Sequence, residues 1–152
     1  MSVQTTYEPI TKTLTVARGI EETFQFYTDR IDDWWPKKTH SLGLEKVASV
    51  AIEPRVGGRI YETQNDGTEV QWGKVVVWDV PNRLIHSWHL SRGEDKATEV
   101  EIIFTALGEN ETRVDLIHRN WENLGDEAGK LHEQYSGGWD HVFHECFGGL
   151  VK

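Results

Sequence analysis

The sequence predicts an α+β domain in which a curved antiparallel sheet of six to seven strands wraps around a long C-terminal helix. Three observations carry that expectation. Apolar residues recur with period two from Leu44 to Trp121, the tail from Asp126 to Lys152 switches to a helical period, and short helical segments follow the first strand. A sheet that must cover a helix on one face only belongs to the α+β class. At 152 residues, with no linker or repeat, the chain reads as one domain over 1–152. That length buries roughly 70% of the unfolded surface, enough for a core with a cavity inside it.

The elements follow in order. Ile10, Leu14 and Val16 alternate with Thr11, Thr13 and Thr15, the mark of a strand with one buried face. Ile20, Phe24, Tyr27 and Ile31 then fall at helical spacing until Pro36, which gives one or two short helices. Strands are expected near 45–53, 58–64, 70–79, 83–90, 98–106 and 112–120. Their connections carry turn residues: Gly57-Gly58, Asn65-Asp66-Gly67, Pro81-Asn82 and Gly108-Glu109-Asn110. Such short links join neighbouring antiparallel strands. In the tail, Leu131, Tyr135, Trp139, Val142, Cys146 and Leu150 form one apolar stripe, broken by Gly137-Gly138, where a bend or a close neighbour is expected.

Strand alternation sorts the side chains. Trp72, Val76 and Trp78 fall on one face, as do Leu84, His86, Trp88 and Leu90 on the next strand. Val100, Ile102, Phe104, Val114, Leu116 and His118 continue that face across the last two. The opposite positions hold Gln71, Asp79, Glu99, Glu101, Arg113, Asp115 and Arg119, which fixes the apolar face as the inner one. Two imidazoles and several indoles therefore point toward the final helix. Small-molecule pockets are built this way, mostly apolar with a few placed polar groups, although a hydrogen-bonded core histidine fits the same pattern.

Composition limits the alternatives. A net charge of −9 opposes binding to nucleic acid or to an anionic membrane. The single cysteine allows no internal disulfide, and the absence of an apolar leader or spanning run leads us to expect a cytoplasmic protein. Asp140–His144 and His141–Glu145 have the spacing of helical metal pairs but not the His-Glu-x-x-His arrangement, and are read as a solvated face. Cys146 lies on the apolar stripe, where a thiol is usually inert. No catalytic motif, phosphate loop, metal or cofactor site is assigned. The segment "DDWWPKKTH", Asp32 to His40, is placed to cap a cavity mouth, with Trp34 or Trp35 as a lid and at least one of the two packed.

Several stretches, in order, resemble one family. They are "DDWWP" (Asp32 to Pro36), "RVGG" (Arg55 to Gly58), "NDG" (Asn65 to Gly67), "WGKVVVWDVPNRLIHSW" (Trp72 to Trp88), "TRVDLIH" (Thr112 to His118) and "GGW" (Gly137 to Trp139). Together they are similar to the activator of Hsp90 ATPase homologue family of the START-like, or SRPBCC, superfamily, from about Leu14 to Leu150. The resemblance implies a helix-grip fold with a hydrophobic cavity between sheet and helix. Relatives of this kind look like binders of lipophilic or aromatic small molecules. The eukaryotic co-chaperone carries a separate N-terminal domain for which no room is expected here.

The leading expectation is therefore binding of a hydrophobic or aromatic small molecule, as a monomer or homodimer. Its cavity would be lined by Trp72, Trp78, His86, Trp88, Ile102, Phe104, His118, Tyr135 and Trp139. Two alternatives stand beside it: an interaction module whose partner is a chaperone, and an enzyme using His86 or His118 as acid or base.

Overall fold

The computed structural model describes residues 8–37, 39–89 and 94–150, apart from the side chains of Glu94 and Leu150. Strand β1 (Ile10–Val16) leads into two helices, α1 (Ile20–Thr28) and α2 (Ile31–Trp34). Six strands follow: β2 (Val47–Ile52), β3 (Arg59–Gln64), β4 (Glu69–Asp79), β5 (Arg83–Trp88), β6 (Thr98–Gly108) and β7 (Glu111–Arg119). A 3-10 segment (Trp121–Glu127) opens the C-terminal helix, which is α-helical as α3 (Ala128–Trp139) and π-helical over Asp140–Phe147. The expected Leu90 position lies outside the described residues.

The seven strands form one antiparallel sheet in the order β1-β7-β6-β5-β4-β3-β2. The chain begins on one edge, crosses through α1 and α2, and resumes on the opposite edge. It then meanders back until β7 pairs with β1, Ile10 opposite His118. Glycines at positive φ, Gly57 and Gly67, make the tight turns that β-branched or bulky residues would strain. This is the expected helix-grip architecture: a curled sheet closed over a C-terminal helix.

Alternation gives the expected inner face on β5, β6 and β7, although Ile85 and Glu101 of the outer face are buried too. Leu84, Val100, Ile102, Val114, Leu116 and His118 are wholly buried. On β4 it fails, because one residue is extra against β3 between Gly73 and Gln71, and another against β5 between Val75 and Val77. Each bulge flips the phase of the strand. Trp72 and Trp78 remain inward, while Val75 takes the buried place expected of Val76, which is half exposed. The same bulges bend the strand and so curl the sheet around the helices.

The outer face is polar and cross-linked. Glu101 lies between Arg83 and Arg119, and Arg119 also reaches Glu99. Burial works to raise the Glu101 carboxyl, and the two guanidinium groups nevertheless keep it below the usual carboxylate range.

Candidate functional site

The helical turns after β1 supply most of the aromatic packing. Phe24 touches Trp78 and Phe104 at ring centroid distances of 5.3 and 5.0 Å. Tyr27 meets Trp34 and Phe147 at 5.1 and 5.3 Å. Burial pushes the Tyr27 hydroxyl well above its ordinary range, so it stays protonated. Phe147 stacks on Phe143, and neither is exposed. This half of the interior is filled.

The other half is not. Between a strap formed by Trp35 with residues 39–42 and the C-terminal helix lies an open-sided pocket of about 500 Å³. Its apolar wall is Trp35, Trp88, Trp139, Leu131, Val142 and Leu42; its rim carries Thr39, His40, Ser41, Glu127, Lys130, Gln134 and the Tyr135 ring. Gly138 also lines it, and a Cβ built there or at Gly137 meets no atom within 4 Å. The glycine pair thus marks open space and not a close neighbour, one of the two expectations for it.

Two hydrogen-bonded systems fix the walls. In the first, Trp139 Nε1 donates to His118 Nδ1 at 3.0 Å, and His118 Nε2 lies 2.7 Å from Thr98 Oγ1. Thr98 in turn donates to the Trp88 carbonyl at 3.0 Å, and Trp88 Nε1 donates to Tyr135 at 3.2 Å. A ring nitrogen that accepts from an indole carries no proton, so His118 is the neutral tautomer that donates from Nε2. Burial, aided by His86 and His132, keeps it far below the ordinary imidazole pKa. His86, also buried, is lowered to about 4, and its Nδ1 lies 3.0 Å from the Ser87 carbonyl. At neutral pH both imidazoles are uncharged, and His118 serves to orient the Trp139 indole, while Tyr135 orients that of Trp88.

The second system holds the outer wall. Glu62 is wholly buried on β3, and its carboxylate accepts from Trp72 Nε1 at 2.8 Å, Leu42 N at 2.7 Å, Gly43 N at 2.8 Å and Gln64 Nε2 at 3.1 Å. A Cβ at Gly43 would come within 2.7 Å of Gln64 Nε2 and 2.9 Å of Glu62 Oε2, so a side chain there would push these two groups aside. Trp35 Nε1 donates to the His40 carbonyl at 3.0 Å, closing the strap on itself. Trp34 and Trp35 are both buried, so neither is an exposed lid; Trp35 is instead an inner wall.

Of the nine residues expected to line a cavity, Trp88, Tyr135 and Trp139 come together on it. Trp72, His86, Ile102, Phe104 and His118 pack in the core, and Trp78 lies half-buried against Phe24. The segment expected to cap a cavity mouth does so as far as His40; sequence reasoning missed its continuation through Ser41 and Leu42 and its anchor Glu62. The signal for the anchor was present: Ile60 and Glu62 share one strand face, and a carboxylate on an inward face needs partners. Among the described residues no three His, Cys, Asp or Glu side chains form a metal site. No described helix is long and apolar enough to cross a membrane.

The profile of the activator of Hsp90 ATPase homolog 1-like protein family matches residues 18–148. The chain belongs to that family. No curated protein sequence matches it. Among solved structures, it is similar to an anthrahydroquino-γ-pyrone synthase at 36% identity, covering 86% of this chain and 88% of that one with a TM-score of 0.60. It is also similar to CalC of Micromonospora echinospora, described as a self-sacrificing resistance protein, at 23% identity, 95% and 94% coverage and TM-score 0.65. An Hsp90 activator from Plasmodium falciparum matches at 21% identity, 90% and 91% coverage and TM-score 0.62. The last two likenesses are of fold alone.

Proposed function

We propose that this member of the family binds a small planar aromatic molecule in the cavity between the strap and the C-terminal helix. The observation that carries this reading is the approximately 500 Å³ space walled by a cluster of three indoles, Trp35, Trp88 and Trp139, whose ring centroids lie 5.7, 6.1 and 6.2 Å from one another. Flat rings bury large area against such faces and favour tilted or offset contacts with them. Tyr135, His40 and Gln134 at the rim suit hydroxyl and carbonyl groups at the edge of a polycyclic ligand. The 36%-identical synthase, named for an anthrahydroquino-γ-pyrone product, supports the same chemical class. Binding, not acid–base catalysis by His86 or His118, fits the core positions and the low proton affinity of both rings.

Titration with anthraquinone-2-sulfonate, followed by tryptophan fluorescence, tests the reading. Saturable quenching that weakens at least tenfold in Trp88→Ala and Trp35→Ala is expected. A linear, unsaturable response would count against it.

A further inference from the structure

One cluster beside the cavity has no part in the reading above. His141 Nδ1 lies 2.6 Å from Glu145 Oε2, and His141 Nε2 lies 3.6 Å from Cys146 Sγ. In an α-helix residues five apart are turned by about 140° from each other. The π-helical winding of Asp140–Phe147 brings positions 141 and 146 onto one edge instead. Cys146 falls four residues beyond Val142, the last helix residue on the cavity wall. The His40 ring, part of that wall, lies 5.3 Å from the His141 ring.

A carboxylate only accepts hydrogen bonds, so the proton between His141 and Glu145 sits on Nδ1. In the uncharged ring Nε2 then presents its lone pair to the thiol. The acid, imidazole and sulfur are in the order of an activated nucleophile. We propose that Cys146 is a nucleophile toward electrophilic planar ligands of the quinone class, with His141 as its base and Glu145 orienting the base. This rests on the cavity reading for the planarity of the ligand, and the thiol chemistry extends it.

The step balances without an outside oxidant. His141 Nε2 takes the thiol proton as sulfur attacks a ring carbon conjugated to a quinone carbonyl. The carbon–sulfur bond forms, the ring double-bond pair moves to the carbonyl oxygen, and that oxygen takes the proton from His141. Transfer of the ring C–H proton to the second oxygen leaves a hydroquinone thioether. The addition needs no outside electrons: the two carbonyl carbons are reduced, the ring carbon that exchanges hydrogen for sulfur is oxidised by the same amount, and the sulfur stays at the sulfide level. Burial and the Glu145 charge push the free thiol up, so a bare thiolate is scarce at neutral pH and the base is needed. The group facing this cluster is His40 from the strap; on the same helix stretch Asp140 pairs with His144 and with Lys12 from β1.

The test uses the full chain with 1,4-naphthoquinone, followed by intact-mass spectrometry. One adduct is expected, absent in Cys146→Ser and slowed about a hundredfold in His141→Gln, the low end for a positioned base. Glu145→Gln should slow it less, and the wild-type rate should not climb tenfold per pH unit as a bare thiolate would. A His141→Gln rate equal to wild type, or that tenfold climb, overturns the proposal. Anthraquinone-2-sulfonate, which cannot add a thiol at a fused ring carbon, separates the two readings. Saturable quenching without adduct defeats the thiol chemistry and leaves the cavity. Adduct without saturable quenching leaves the thiol chemistry and defeats the cavity, and neither signal defeats both.

Discussion

Along the C-terminal helix, Phe147 is fully buried against Tyr27 and Trp34 with the buried Phe143 stacked on it, whereas Leu131, Tyr135 and Gly138 face open space under the strap. Both halves present aromatic residues to the same concave sheet. The difference lies in how the helix meets the sheet: Phe143 and Phe147 fill one half, while Gly138 leaves a gap among Leu131, Tyr135 and Trp139 in the other. A second difference is the roof. The filled half is covered by α1, whose Phe24 and Tyr27 reach the sheet, while the open half is covered by a strap held at a distance by the Glu62 carboxylate. A cavity survives here because polar bonds set the spacing of its walls before apolar contact can close it.

The sharpest way to break that comparison is to remove the anchor. Glu62→Ala leaves the Leu42 and Gly43 amides and the Trp72 indole without their acceptor, and should destabilise by roughly 3–5 kcal/mol, since each buried donor without a partner costs about 1–3 kcal/mol. Chemical denaturation measures this. A loss below about 1 kcal/mol would mean that the strap is placed by something other than Glu62.

Acid should act next, and mainly from the sheet side of the open half. The folded pKa of His86, about 4, lies below its ordinary 6.5, so the unfolded chain binds the proton more readily. Stability is then full above pH 6.5, falls as pH drops through that value and levels off below about 4, a loss of roughly 3 kcal/mol. His118 shifts in the same direction and adds to it. Melts between pH 7 and 4.5 should show a shallower slope in His86→Leu than in wild type. Identical slopes would refute the assignment.

Filling the space from the helix gives a smaller effect on stability and a selective one on binding. Gly138→Leu places a side chain where no atom lies within 4 Å of the new Cβ. Replacing a helical glycine favours the helix by up to about 1 kcal/mol, so stability should be kept or rise slightly. Affinity for anthraquinone-2-sulfonate should fall at least tenfold. Unchanged affinity would show that the ligand sits elsewhere.

Much of this was legible beforehand, and what was not has physical reasons. All seven strands follow from period-two patterning, with ends within about two residues, because a sheet with one wet face must alternate. Val76 was misplaced because a bulge changes the phase without changing the composition. Among expected site residues, Trp88 and Trp139 reach the cavity while Ile102 and His118 do not, since alternation tells inward from outward but not filled from empty. That second distinction depends on the helix crossing the sheet, and on a π-helical stretch that turns Phe143 and Phe147 inward off the expected stripe. The cap over the mouth was legible as far as His40, but its continuation through Leu42 was not, because that part is held by Glu62, about twenty residues away in sequence.

The weakest tie between the halves is electrostatic. Lys12 on β1 meets Asp140 at 2.9 Å, where the helix passes from α to π winding, and its hydrogen bond lowers the Asp140 pKa. If side-chain volume and the Glu62 anchor set the two halves apart, this pair is only a tether on the outside. Asp140 is 59% exposed, and exposed pairs contribute about 0.5 kcal/mol. Lys12→Ala should therefore shift stability by no more than that, with ligand affinity unchanged and the effect vanishing at high salt. A salt-independent loss of more than about 1 kcal/mol, together with altered quenching, would place the control of the cavity at the helix junction instead of the strap.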